Sequence, residues 1–185
     1  MIKRLLISAV ACTALAGCSA VEQVVPAPPS SEPSTSEETA ETSTTPSITR
    51  EVPPEQRRKL GTLSAADLCG LLRPDEIAKL AFDVEPGKPR EVGVEPQVRG
   101  CAFDSRTGGR QVLIGAQAPG FADLGTDEIE LGPVRGTKVL RTSDCTVYAP
   151  VTEATLQVSV ISGETDSDLC RTASDVTQYL LPGVF

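Results

Sequence analysis

The sequence predicts an α+β domain: an antiparallel sheet of about four to five strands, short helices ahead of it, and a last helix on one face. Three observations carry this. Leu156, Val158 and Val160 alternate with Thr155, Gln157 and Ser159, which gives a strand one dry face and one wet face. Leu169, Ala173, Val176 and Leu180 recur at helical spacing, and Pro182 ends that stripe. Ser64, followed three residues on by Asp67, marks a helix start well before the first strand.

In chain order, Ala65, Leu68, Cys69 and Leu72 form the buried face of the first short helix. Pro74, Asp75 and Glu76 open a second, through Ile77, Leu80 and Ala81, because proline suits a first turn and carboxylates suit its dipole. Gly87 to Gly100 shows little pattern and reads as mostly loop. Cys101 and Phe103, then Val112, Ile114 and Ala116, read as a hairpin around Thr107-Gly108-Gly109. Gly120 to Gly136 is ambiguous and receives no firm assignment. Thr137 to Arg141, Cys145 to Ala149 and Thr155 to Ile161 read as further strands. The last helix spans about Ser167 to Leu181. With no tryptophan in the chain, the core must be aliphatic.

Ahead of this domain stand Lys3-Arg4, an uncharged run from Leu5, and Leu15-Ala16-Gly17-Cys18. The pattern resembles a bacterial lipobox, and residues 1–17 read as a lipoprotein signal peptide. The uncharged run, roughly 13 residues, falls short of the ~20 that span a bilayer. The resemblance implies a diacylglyceryl group on Cys18 and an anchor in the outer face of the cell membrane, since two acyl chains hold where one is marginal. Residues 18–60 follow as a tether. Pro26 to Thr49 is almost entirely Pro, Ser, Thr, Glu and Ala, too poor in apolar side chains to offset the entropy of ordering. Arg57-Arg58-Lys59 is a dense basic cluster at its end. The net charge of −8 argues against nucleic acid as a partner.

The domain, residues 61–185, keeps Cys69, Cys101, Cys145 and Cys170. An even count outside the cytoplasm reads as two disulfides. Zinc is disfavoured, because there is no Cys-x-x-Cys knuckle and no histidine. Of the three possible pairings, Cys69 with Cys101 and Cys145 with Cys170 is favoured, each joining a helix to a strand.

The segment Asp67-Leu68-Cys69-Gly70-Leu71-Leu72-Arg73-Pro74-Asp75-Glu76-Ile77 resembles the start of a family of actinobacterial lipoproteins of unknown function. Cys101-Ala102-Phe103, Cys145-Thr146-Val147 and Asp168-Leu169-Cys170-Arg171-Thr172-Ala173 resemble the family's later cysteine elements. Arg73 stands where the family has threonine, so the second helix loses its side-chain cap. Phe103 stands where it has tryptophan. The resemblance implies lipid anchoring and a cysteine-stapled α+β domain, and it brings no catalytic residues.

Without histidine, Ser-His and Cys-His nucleophiles and His-ligated metals are excluded. Asp127, Glu128 and Glu130 are the candidate carboxylates for glycoside cleavage, set against a solvated strand edge. Asp166 and Asp168 lack the glycine and distal glutamate of a calcium loop and suit a helix start better. Gly108-Gly109 reads as a hairpin turn, not a phosphate cradle. Lys79, Lys88 and Lys138 sit in no Ser-x-x-Lys motif. No cofactor is expected. The expected function is a non-enzymatic binding or accessory domain in the cell envelope, its ligand a protein, polymer or small molecule. A carboxylate-dependent envelope hydrolase is the alternative.

Overall fold

The computed structural model describes residues 50–92, 98–163 and 168–185. Cys18, the signal segment, most of the tether and Asp166 lie outside them. Three α-helices are present among these residues: α1 (Ala65–Cys69), α2 (Pro74–Leu80) and α3 (Leu169–Leu180). Ser64 caps α1 through a reciprocal box. Its hydroxyl accepts the Asp67 N–H at 3.1 Å, and the Asp67 carboxylate accepts the Ser64 N–H at 3.1 Å. Arg73, at the N-cap of α2, supplies no side-chain cap there. Glu76 instead reaches back to accept the Arg73 N–H at 2.8 Å.

Among the described residues the sheet has seven strands, more than the four to five expected. They are β1 (Lys88–Val92), β2 (Val98–Asp104), β3 (Arg110–Gln117), β4 (Asp127–Leu131), β5 (Val134–Leu140), β6 (Asp144–Val151) and β7 (Ala154–Ser162). Their order is β1-β2-β3-β7-β6-β5-β4, with every neighbouring pair antiparallel. Two meanders, β1 to β3 and β4 to β7, are thus joined along β3 and β7. The two extra strands are the edges. β1 replaces the loop expected from Gly87, and β4 fills the stretch left unassigned. β1 exposes nearly every described side chain and so shows no pattern, while β4 alternates only over Glu128 to Leu131, with Ile129 half-buried and Leu131 buried, too short a run to stand out.

Register places Cys101, Ile114, Val158 and Val147 in one row, with Phe103, Val112, Val160 and Cys145 in the next. All eight are fully buried or nearly so. The helices pack on this face. α3 lays Leu169, Ala173, Val176 and Leu180 against it, and α1 contributes Leu68. A side chain such as Phe103 or Ile114 contributes about 1.5–3 kcal/mol by this burial. Two disulfides rise from the same face, Cys69–Cys101 from β2 to α1 and Cys145–Cys170 from β6 to α3. This is the pairing favoured from the sequence.

The opposite face is polar but less wet than alternation predicts. Gln117, Thr146, Thr155 and Ser159 are buried on it. The crossing from β3 to β4 explains part of this. The Thr137 hydroxyl donates to Ala122 O and accepts the Gly125 N–H at 2.9 Å, which pins that segment over β5. Some of these polar groups satisfy one another, while Gln117 Oε1 and Thr155 Oγ1 have no hydrogen-bond partner among the described residues. Thr146 and Ser159 hydroxyls lie 2.8 Å apart, and Gln157 Nε2 donates to Ser159 at 3.1 Å.

The packed chain begins before the boundary expected at Gly61. Leu60 is fully buried in the core. Residues 58–60 pair with the last residues: Arg58 N–H donates to Gly183 O at 2.9 Å, and Phe185 N–H donates to Arg58 O at 3.0 Å. Arg50 wedges beside α2 and α3, its guanidinium 4.9 Å from the Tyr179 ring centre and 3.7 Å from Glu76. A leucine in the core outweighs the polar composition around it, so residues 50–60 pack with the domain.

Candidate functional site

The two hairpin turns β4–β5 and β6–β7 lie at one end of the sheet, beside the end of α3. Gly132, at φ 70°, makes the first turn, and Glu153, at φ 58°, sits in the second. Between them and the segment Leu181–Phe185 opens a cleft of about 530 Å³. Leu131 and Val184 are buried in its floor, and Val134, Val151 and Leu181 are half-buried in its walls. Pro133, Pro150 and Pro182 stand around it, with Gln178 and Thr152 as neutral polar groups. Arg57 is the ionisable side chain in the lining, and Phe185 lies beside it with 38% of its surface exposed. The volume falls in the range of small-molecule sites, which are mostly apolar with few polar groups.

The sequence-derived candidates fall elsewhere. Asp127, Glu128 and Glu130 are exposed on the edge strand β4, where alternation turns Asp127 away from the other two. Glu130 is paired with Arg135 at 3.0 Å, and Asp127 accepts the Thr126 hydroxyl at 3.3 Å. None of the three lines the cleft. Asp168 sits at the N-cap of α3, where its carbonyl accepts Thr172 N–H at 2.9 Å. Gly108 and Gly109, at φ 80° and 75°, make the β2–β3 turn. Lys88 pairs with Asp104 at 2.9 Å. Among the described residues, no group of three or more Cys, Asp or Glu is placed to hold a metal ion, and no helix is long and apolar enough to cross a membrane.

Two of the perturbed carboxylates, Asp67 and Glu76, belong to structural clamps. Ser64's hydroxyl, then Arg58 at 2.9 Å, hold Asp67 at a pKa of about 2. Burial raises Glu76, but the Arg73 N–H, the Tyr179 hydroxyl at 2.8 Å and the Arg50 and Arg73 cations outweigh it, and its pKa is lowered. Burial raises Asp175, with Arg171 opposing it. None of these borders the cleft.

A family model described as a protein of unknown function (DUF3558) matches residues 13–182, nearly the whole chain. The chain belongs to the DUF3558 family. The matched span takes in Cys18 and all four cysteines of the domain. No curated protein and no solved structure matches the chain. For this DUF3558 member the cleft was invisible in the sequence, because its lining comes from four separate stretches, none with a periodic or motif signature. Gly132-Pro133 and Pro182-Gly183 were the available hints, as turn signals bracketing apolar residues.

Proposed function

We propose that the chain is a lipid-anchored extracytoplasmic protein whose domain binds an apolar ligand or partner surface in the cell envelope without catalysing a reaction on it. The observation that carries the binding part is the chemistry of the cleft: apolar walls, prolines, two neutral polar side chains and one guanidinium, with no side-chain carboxylate. Catalysis by carboxylates needs an acid and a base facing one substrate. The carboxylates that the hydrolase alternative draws on stand exposed on β4. The anchoring part rests on Leu15-Ala16-Gly17-Cys18.

Two experiments test this reading. Globomycin treatment of cells making the full chain should accumulate a precursor, and mature protein should carry a diacylglyceryl mass on Cys18. An unacylated mature terminus would remove the anchor. Crosslinking in intact cells, comparing the parent with Val134→Glu, should recover an envelope component with the parent alone. Equal recovery from both would take the binding role away from the cleft.

A further inference from the structure

We infer that the cleft takes the hydrocarbon chain of a free, single-chain anionic amphiphile of the fatty-acid class, and that Arg57 holds its head group. The inference rests on the binding reading above and adds the ligand's chemistry to it. Size comes first. At ~30 Å³ per heavy atom, a volume near 530 Å³ holds on the order of 15 to 20 atoms, which is one acyl chain and not the two of a bilayer phospholipid.

The walls favour hydrocarbon over an extended peptide. A peptide in a groove gains affinity from main-chain hydrogen bonds. Pro133, Pro150 and Pro182 border this cleft, and proline has no N–H to offer. A methylene chain needs no donor, and the half-buried Val134, Val151 and Leu181 give it apolar contact.

Charge places the head. Arg58 is committed to Asp67 at 2.9 Å. Arg57 next to it is exposed, donates through Nε to Val52 O at 3.3 Å, and forms no ion pair among the described residues. A chain of net charge −8 thus keeps, in the lining of an apolar cleft, a guanidinium with no ion pair among the described residues, and no lining residue brings a side-chain carboxylate to it. A guanidinium fork matches a carboxylate in two parallel hydrogen bonds.

The test uses the full chain carrying Cys18→Ala, which lacks the lipidation thiol. Palmitate, laurate and uncharged hexadecanol displace a dansyl-labelled undecanoate probe, read by fluorescence. Palmitate should bind at least tenfold more tightly than laurate, because about 0.8 kcal/mol accompanies each fully buried methylene and four are removed. It should also bind about fivefold more tightly than hexadecanol, the upper end for a solvent-exposed ion pair. Arg57→Gln should erase the preference for palmitate over hexadecanol and keep the chain-length dependence. Val134→Glu should abolish displacement by all three, with its far-UV dichroism and melting showing an intact fold. Equal affinity for palmitate and hexadecanol in the parent, an Arg57→Gln protein that keeps the preference, or no binding of any chain overturns the inference. An envelope component still crosslinked to the parent under those results leaves the broader binding reading standing, so the two fail separately.

Discussion

Replacing Cys145 and Cys170 together by alanine should lower the melting temperature by about 13 °C. The bridge closes a span of 25 residues. On the chain-entropy account such a loop removes about 3.5 kcal/mol of freedom from the unfolded chain. Unfolding entropy near 2.1 cal/mol/K per residue, over roughly 130 packed residues, amounts to about 0.27 kcal/mol/K, and the quotient gives the shift. Cys145 is fully buried, so loss of its sulfur adds to the cost and does not offset it. The assay is thermal unfolding by far-UV dichroism or calorimetry at matched concentration, with the parent's bridges verified by mass. The pair of substitutions is needed, because a single one leaves a free thiol. Reduction of both bridges should remove about 7 kcal/mol, comparable with the whole stability of an ordinary domain, and leave the chain unfolded at 37 °C. A fall of less than about 4 °C for the double variant would refute the claim that the bridge constrains this fold.

Ser64→Ala should cost about 1 kcal/mol through loss of the α1 cap, and it should raise the Asp67 pKa from about 2 toward 3.8, measurable by carboxyl NMR titration. Because folding depresses that pKa, Asp67 contributes stability that is complete above 3.8 and is lost as pH falls toward 2, so the parent's acid-unfolding curve should flatten in this window in the variant. Tyr179→Phe should cost about 1 to 2 kcal/mol in denaturant titration and raise the Glu76 pKa, since the hydroxyl donates to a charged, half-buried carboxylate. Gly136→Ala should disrupt the pairing of β5 with β6, because the new methyl would collide with the backbone oxygen of Tyr148; amide exchange of Thr137 and Lys138 should accelerate.

Much of the central fold was legible because its residues obey a period. The stripe of Leu169, Ala173, Val176 and Leu180 and the alternation of Leu156, Val158 and Val160 reflect burial on one face, which sequence records directly. The Ser64–Asp67 start was readable for a different reason, namely local hydrogen-bond chemistry confined to a few residues. The edges were not legible. Asp127-Glu128-Ile129-Glu130 looks like a charged loop because β4 turns most of its surface to solvent, and Lys88-Pro89-Arg90 in β1 does the same. Leu60 was lost in the polar tether because one core residue leaves no pattern. The cleft was the least legible feature: Arg57, Val134, Val151 and Leu181 meet only after a seven-stranded register has formed.

Each sulfur bridge joins cysteines that are consecutive in the domain, Cys69 to Cys101 and Cys145 to Cys170. An oxidase that couples thiols in the order in which they appear therefore makes the native pairing at once, and no isomerase is needed to undo a mistaken link. The first loop ties α1 to the leading meander and the second ties α3 to the trailing one, so each half can be locked before the β3–β7 seam brings them together.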